Sequence, residues 1–270
     1  MTESRIPAVF LDWAGTVVDH GSVAPVKAIE DIFAEFGVKV SRPLVRRYMG
    51  LAKKDHIRKL LQEPEVVEQW LAAHPARPEE NDVDLLYKRF EPQMMELLAG
   101  YSAVISGAVE TAEALRARGI KIAGTTGYTR PMLEQLQHLA AEQGYRTDAS
   151  LAPEDVGGGR PYPWMCYRLA LELRIYPLSA CVKIGDTESD ILEGRNAGMW
   201  TIGLTRSGNS VGLTAEEWGR LDGSEQARLI ARAEQELRLA GAHYTAESVA
   251  HVLPMLDEIE HRIAAGEFPG

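Results

Sequence analysis

The sequence has 270 residues, of which 45% are hydrophobic and 25% are charged, and its formal net charge is −10 at pH 7. These values are typical of a soluble globular protein, and the length suffices for one large domain or for a domain plus a smaller inserted one. An acidic chain gains nothing from counterion release on nucleic acid, so we do not expect it to bind nucleic acid. No run approaches the ~18 apolar residues of a membrane span, so we do not expect a membrane partner either.

The cysteine content and the N-terminus indicate the compartment. Cys166 and Cys181 are too few for a disulfide framework and lie in apolar surroundings. The segment MTESRIPAVFLDW has no basic stretch followed by a long apolar one, so no signal peptide is expected. The sequence therefore predicts a cytoplasmic protein.

Short apolar runs rich in β-branched residues recur along the chain. They are AVFLDW (8–13), IKIAGTT (120–126), ACVKIGD (180–186) and MWTIGLT (199–205). Stretches of helical period separate them, and AHYT near the C-terminus is a candidate for a last strand. Alternating strands and helices with continuously apolar strands predict an α/β fold, in which helices cover both faces of a Rossmann-like parallel sheet.

Residues 21–100 differ from this pattern, because helical periodicity dominates and no convincing strand is present. The block starts after the first strand and ends before the helix that leads to the second. We therefore predict a helical cap domain (21–100) inserted into a core domain (1–20 and 101–270). The crossings near Gly21 and at 101–106 are the candidate hinges.

Acidic and hydroxyl side chains follow several predicted strands at the point where each strand ends. Asp12 ends the first strand, and Thr126, before Gly127, ends the second. Asp186 follows another strand, with Asp190 one helical turn later. Parallel strands present their carboxyl ends at one edge of a sheet, next to helix N-termini that favour anions. Three carboxylates there suit Mg²⁺, although helix capping is the alternative for the later two.

A basic residue lies in the loop GGGRPYPW (157–164), between two of the strands. Arg160 could neutralise a bound phosphoryl group and the attacking carboxylate. The alternative is an ordinary surface arginine in a glycine-rich loop.

These motifs resemble the haloacid dehalogenase superfamily, whose opening DxxGTxxD matches DWAGTVVD at 12–19. Thr126, Arg160 and the Gly185-Asp186 pair with Asp190 resemble its later motifs, and the helical block resembles a cap inserted after the first motif. Within the superfamily, longer strings resemble the phosphonoacetaldehyde hydrolases: MGLAKKDH (49–56), TTGYTR (125–130), GRPYPWM (159–165) and EGRNAGMW (193–200).

The resemblance implies hydrolysis of the P–C bond of phosphonoacetaldehyde to acetaldehyde and phosphate, in the breakdown of 2-aminoethylphosphonate. It implies that Asp12 attacks phosphorus and becomes an aspartyl phosphate. Mg²⁺ would be held by Asp12, the backbone carbonyl of Ala14 and Asp186, and Asp190 would orient the metal's surroundings. Thr126, with Gly127, and Arg160 would hold the phosphoryl oxygens.

The residue two positions after the nucleophile favours a phosphonate over a phosphate ester. An acid there would protonate an alkoxide, but this chain has Ala14. Cleaving P–C instead releases a carbanion, which an imine between an amine and the aldehyde converts into an enamine. The family string selects Lys53 as the amine over Lys54, which points about 100° away on a helix. His56, three residues on, shares the face of Lys53 and is expected to move protons.

Further contacts are implied by the same resemblance. Tyr128 and Met49 would line the space between cap and core. Ser22 stands where a cysteine is expected, and His20 where an aromatic residue is expected, so rate or substrate choice could differ here. A homodimer is also implied, with the cap as a contact region.

Two alternatives remain open at this point. One is another enzyme of the superfamily: a hydrolase of a related carbonyl phosphonate, or a phosphatase, which Ala14 and Lys53 disfavour. The other is a non-catalytic sensor of phosphorylated metabolites, which would be expected to lose the nucleophile, the metal acids or the lysine.

Overall fold

The structure, a computed structural model, describes residues 4–270. Within that range six parallel strands form one sheet in the order β3-β2-β1-β4-β5-β6. The strands are β1 (Ala8–Leu11), β2 (Lys121–Thr125), β3 (Ala149–Leu151), β4 (Val182–Gly185), β5 (Trp200–Leu204) and β6 (Tyr244–Ala246). The predicted α/β fold with a parallel sheet is confirmed.

Strand β1 lies in the middle of the sheet, and all four of its residues are buried. Val9 and Leu11 belong to one hydrophobic cluster, whereas Ala8 and Phe10 belong to a second on the opposite face. Alternate side chains of a strand point to opposite faces, so a strand covered on both sides needs an uninterrupted apolar run. This requirement explains why the sequence AVFL shows no polar alternation.

Five helices between β1 and β2 form the cap. They are α1 (Val23–Glu35), α2 (Arg42–Arg47), α3 (Lys53–Leu60), α4 (Pro64–Ala73) and α5 (Glu80–Leu98). Apolar side chains of α1, α3 and α5 are buried in the interior of the cap, as the helical periodicity predicted. The inserted helical cap is therefore confirmed, while its division from the core at residues 21 and 100 stays a prediction.

Seven further helices belong to the core. They are α6 (Ala108–Ala117), α7 (Arg130–Glu142), α8 (Trp164–Leu173), α9 (Glu188–Asn196), α10 (Ala215–Gly219), α11 (Gly223–Leu239) and α12 (Leu253–Ala264). The AHYT segment contributes to a last strand, β6, as expected. Strand β3, only three residues long, had no apolar run that predicted it. Among residues 4–270, no helix is long and apolar enough to cross a membrane.

The first crossing from core to cap leads directly into helix α1, whose first turn is capped by a side chain of the crossing. Both oxygens of Asp19 accept backbone N–H groups at the start of α1, from Val23 at 3.1 Å and from Ala24 at 3.0 Å. Burial raises the pKa of Asp19 to about 7, although these two N–H groups oppose the shift. The predicted hinge near Gly21 is thus an ordered turn in which Asp19 holds the first turn of the cap.

Candidate active site

Asp12 directly follows β1 at the carboxyl edge of the sheet. Its N–H donates to the Ile184 carbonyl of the neighbouring strand at 3.0 Å. Its Oδ1 accepts from Arg160 Nη2 at 2.7 Å, and the residue is 5% exposed. Burial and the nearby Asp190 raise the pKa of Asp12, while Arg160 and Lys183 oppose this shift. The carboxylate is therefore fixed by the strand and faces a cation.

Asp12, Asp186 and Asp190 come together as predicted, with ligand oxygens that all lie within 4.8 Å of one another. Asp186 is fully buried, and its Oδ2 accepts the Asn209 N–H at 2.7 Å. Among the ion pairs of residues 4–270, none includes Asp186. Burial and the charge of Asp12 raise its pKa well above the usual range. A buried carboxylate without a cationic partner, beside two others, fits a divalent metal.

The turn between these carboxylates requires glycine at position 15. Gly15 has φ +83°, and a Cβ there would lie 2.2 Å from Asp186 Oδ2. The absence of a side chain therefore brings the backbone of the first motif against the carboxylate of the last one.

Asp190 caps a helix, which was one of its two interpretations, and it also pairs with two buried cations. Its Oδ2 accepts the Thr187 hydroxyl at 2.6 Å in a capping box at the start of α9. Its Oδ1 lies 2.9 Å from Arg160 Nη1 and 2.9 Å from Lys183 Nζ. Burial raises the pKa of Asp190, but the two cations more than offset this effect and the net pKa is lowered. Asp190 thus fixes the cations as well as the helix.

Arg160 is not a surface arginine, since it is only 3% exposed. Besides Asp12, its guanidinium contacts Glu193 Oε2 at 3.0 Å. It also donates to the carbonyl and to the hydroxyl oxygen of Thr125, both at 2.8 Å. These contacts hold the Nη2 donor of Arg160 next to the Asp12 carboxylate. The loop GGGRPYPW therefore delivers a fixed positive charge to the edge of the sheet.

Sequence reasoning missed two charged residues beneath this edge. Lys183, in the middle of β4, is fully buried, and its Nζ lies 2.7 Å from Thr125 Oγ1 and 3.0 Å from Glu193 Oε2. Glu193 also accepts the Thr125 hydroxyl at 2.9 Å. A lysine inside the apolar run ACVKIG was a usable signal, because such a strand is buried on both faces. Glu193 stands one helical turn after Asp190 and so shares its face.

Lys53 is the first residue of α3 and reaches the same site from the cap. It is 4% exposed, and its Nζ lies 5.3 Å from the centre of the Tyr128 ring. Burial lowers the pKa of Lys53 to about 8, with Asp12 opposing and Arg160 assisting the shift. Lys54, in contrast, has a side chain that is 39% exposed and pairs with Glu80 at 3.7 Å and with Asp84.

His56 shares the buried face of α3 with Lys53, yet it does not line the cavity that the other residues form. The ring is fully buried, packs edge-on against Tyr48 at 6.2 Å, and neither nitrogen has a hydrogen bond of ordinary geometry among the described residues. Burial, with the charge of Lys53, lowers the pKa of His56 well below its usual range. The imidazole is therefore neutral at pH 7.

Cap and core enclose a cavity of about 20 Å³. Its wall includes ten of the predicted residues: Asp12, Ala14, Ser22, Met49, Lys53, Thr126, Gly127, Tyr128, Arg160 and Asp186. Gly50, at φ +85°, presses so closely on the core that a Cβ would lie 2.3 Å from Thr187 Oγ1. A space this small holds about one water molecule, so the described arrangement is closed.

Known proteins resemble this chain over almost its full length. A model of the family "Hydrolase: haloacid dehalogenase-like hydrolase" matches residues 6–198. Phosphonoacetaldehyde hydrolase of Nitratidesulfovibrio vulgaris is 42% identical over 99% of this chain and 95% of its own length. Phosphonoacetaldehyde hydrolase of Bacillus cereus is also 42% identical, over 95% of this chain and 97% of its own.

Solved structures show the same likeness. A phosphonoacetaldehyde hydrolase-like protein from Oleispira antarctica is 39% identical and superimposes with a TM-score of 0.96 over 100% of this chain and 98% of its own. A hydrolase from Pseudomonas syringae reaches a TM-score of 0.69 at 19% identity, with coverage of 94% and 99%, and thus shares the fold alone.

Proposed function

The chain belongs to the haloacid dehalogenase-like hydrolases and, within them, to the phosphonoacetaldehyde hydrolases, and on that premise we propose that it cleaves the P–C bond of phosphonoacetaldehyde into acetaldehyde and phosphate. The observation that carries the proposal is the pairing of Lys53 with Ala14 in one cavity. An amine is present where a carbonyl substrate would need it, and no acid stands two residues after Asp12.

Lys53 forms the imine in this proposal. A P–C bond breaks heterolytically only if the carbon can accept the electron pair, and an imine provides that sink by releasing an enamine. The free amine is the reactive form, and its pKa of about 8 leaves a useful fraction unprotonated near neutral pH. Tyr128, a buried phenol whose pKa is raised well above the usual range by burial, stays neutral beside it.

Asp12 is the nucleophile in this proposal, and it attacks phosphorus to form an aspartyl phosphate that water then hydrolyses. Arg160 Nη2, 2.7 Å from Asp12 Oδ1, is placed to bind an oxygen of the phosphoryl group that arrives there. Thr126 and the backbone of Gly127 line the other side of the cavity. Water returns the enamine and its imine to free Lys53 and acetaldehyde.

Mg²⁺ is part of the proposal because the donor set fits it. Asp12, Asp186 and the backbone carbonyl of Ala14 would hold the ion, with Asp190 fixed behind them. A cation there would neutralise the clustered carboxylates and stabilise charge on the phosphoryl oxygens. The carboxylates whose pKa values are raised in its absence would then stay ionised.

His56 is proposed to move protons for imine formation from its position beneath Lys53. Neither ring nitrogen has a regular hydrogen bond among the described residues, but burial and Lys53 lower the pKa of His56, so the ring would accept a proton readily only once water reaches it. Because the ring does not line the closed cavity, this transfer has to pass through Lys53 itself or through water admitted when the cap moves.

We also propose that the protein is a homodimer. Helix α8 exposes Trp164 (42%), Tyr167 (44%) and Leu171 (78%), and Tyr176 just after it is 88% exposed. Contiguous exposed apolar side chains mark interaction surfaces. This surface favours the core as the contact region, rather than the cap that the family resemblance implied. A shift from dimer to monomer on L171E, seen by sedimentation, would support this contact.

The test of function is to incubate the protein with Mg²⁺ and phosphonoacetaldehyde and to measure acetaldehyde and phosphate together. We expect equal release of both, abolished by K53R and by D12A. K54R is the matched control, because Lys54 lies on the same helix but points to solvent, and its activity should stay unchanged. No release by folded, Mg²⁺-loaded protein, or faster hydrolysis of a phosphate ester, would contradict the proposal and direct the search to other carbonyl phosphonates or to a phosphatase.

A further inference from the structure

Arg46, at the end of α2 in the cap, reaches across to the core. Its Nη1 donates to the Gly21 carbonyl at 2.8 Å and to Asn209 Oδ1 at 3.0 Å, and its Nη2 donates to the Gly212 carbonyl at 2.9 Å. One guanidinium therefore joins three places: the cap helix, the crossing between the domains, and the core loop 206–212 after β5.

Arg46 differs from the other two arginines of α2 in the groups that its side chain contacts. Arg42 pairs with Glu30 at 3.2 Å and Arg47 pairs with Glu63 at 3.1 Å, and both partners lie in the cap. No carboxylate pairs with Arg46 among residues 4–270, although burial lowers its pKa. Its cation is satisfied by neutral oxygens that the core and the crossing provide. Such charge-assisted bonds are strong, and separating cap from core would break them together.

Asn209 connects this contact to the candidate metal site. Its side-chain Nδ2 donates back to the Arg46 carbonyl at 3.0 Å, so the two residues bind each other reciprocally. Its backbone N–H donates to Asp186 Oδ2 at 2.7 Å. One core residue therefore touches the cap through its side chain and a proposed metal ligand through its backbone.

The same contact lines a larger cavity that adjoins the site. A cavity of about 490 Å³, which we call the vestibule, is lined by Arg46, Asn209, Met49 and Thr187 among others. Met49 and Thr187 also line the catalytic cavity of about 20 Å³. A phosphonate aldehyde is far larger than the one water that such a volume holds, so the cap must move before a substrate can pass from the vestibule.

We propose that Arg46 and Asn209 form a latch that holds the cap on the core and orients Asp186 when the cap closes. Both are positioning residues, because they act through Asp186 and the crossing rather than on the substrate. The catalytic purpose of the latch rests on the proposed function, but its existence does not. When the latch is closed, the Asn209 N–H is held on Asp186, so binding of a metal ion and closure of the cap favour each other.

The test uses the full chain carrying S22C as a thiol reporter. Ser22 lines the closed cavity and is 3% exposed, so the introduced thiol should react slowly with a methanethiosulfonate reagent. Adding R46M should raise the modification rate at least about tenfold, since the loss of even one charge-assisted hydrogen bond has about that effect and R46M removes three. R47M, which removes a neighbouring arginine whose ion pair is with Glu63 of the cap, should leave the rate unchanged.

The link to Asp186 is tested by repeating the modification with Mg²⁺. Mg²⁺ should slow the reaction when the latch is intact and should have little effect in R46M. Equal rates in R46M and R47M, or an equal effect of Mg²⁺ in both, would overturn the proposal. No readout needs turnover, so the result stands even if the protein fails to hydrolyse phosphonoacetaldehyde.

The native thiols report whether a variant has simply unfolded. Cys166 and Cys181 are fully buried and should not react in a folded chain. If they react in R46M, N209A takes its place, since it removes the side-chain contacts and keeps the backbone N–H on Asp186. We expect N209A to raise the modification rate several-fold, and an unchanged rate in this variant would overturn the latch.

Discussion

Lys183 and Arg160 are two buried cations that contact the same oxygen of Asp190, each at 2.9 Å. They also share Glu193 Oε2, each at 3.0 Å. Two acids and two cations thus form a buried network beside Asp12. Its net charge is balanced, and the loss of any member leaves a charge without a partner in a medium of low dielectric.

We predict that K183M destabilises the protein by about 3 to 5 kcal/mol, because it leaves two buried carboxylates with Arg160 as the one cation between them. Urea unfolding measures this loss. The double variant K183M/E193Q should recover part of it, since it also removes one carboxylate charge and leaves Asp190 paired with Arg160. K121M, at an exposed position on β2, is the control and should have little effect. An equal cost for K183M and K121M would contradict the network.

We predict that G15A destabilises the protein and abolishes its response to Mg²⁺. Gly119 is the matched control, because it has φ +75° but a Cβ there would meet no atom within 4 Å, whereas the methyl group of G15A would strike Asp186. G119A should cost about 1 to 2 kcal/mol from backbone conformation alone. G15A should cost at least about 2 kcal/mol more, from the clash. Similar unfolding free energies for both variants would show that the turn relaxes.

We predict that trapping of Lys53 by acetaldehyde and cyanoborohydride follows an amine with a pKa of about 8. Burial disfavours the ammonium form, so the pKa of Lys53 lies below that of an ordinary lysine, and the free amine accumulates as pH rises. Below pH 8 the rate should fall about tenfold per pH unit and above it should level off. A midpoint near the ordinary lysine value, or trapping that K54M removes, would contradict this assignment.

We predict that Mg²⁺ raises the melting temperature of the protein and that D186N abolishes the increase. At a concentration one hundred times its dissociation constant, an ion that binds only the folded state adds about 2.7 kcal/mol. Metal-free D186N should also be more stable than the metal-free protein, because it removes a buried carboxylate that Asp12 and Asp190 repel. E188Q changes an exposed acid two residues away and should keep the full response to Mg²⁺.

The sequence was enough to predict the positions of the carboxylates that directly follow strands. Asp12 and Asp186 follow apolar runs that topology brings to one edge, so their proximity was predictable. Arg160 was predictable only through its resemblance to a motif, because composition alone described a glycine-rich surface loop. The residues outside the motifs, including the role of Lys53, depend on the family string and stay predictions of function.

The remainder of the site depends on tertiary contacts that have no local pattern. Arg46 is one of three arginines in RPLVRR, and nothing in that string separates it from Arg47. Its position is decided by the approach of the loop that holds Asn209, more than 160 positions later in the chain. For His56 the sequence predicted the local structure but not the environment of the side chain. Its helical face was predictable, but whether that face opens to the cavity or to the interior of the cap was not.

The two covalent partners of the proposed reaction come from different halves of the molecule, Asp12 from the core and Lys53 from the cap. The low pKa of Lys53 arises from its burial in the space that the two halves enclose. Separation of the halves would return this amine to water and to its ordinary protonated form. Closure of the cap would therefore control the reactivity of Lys53. In the open enzyme its side chain would be an unreactive ammonium group, and other aldehydes would find no free amine with which to form an imine.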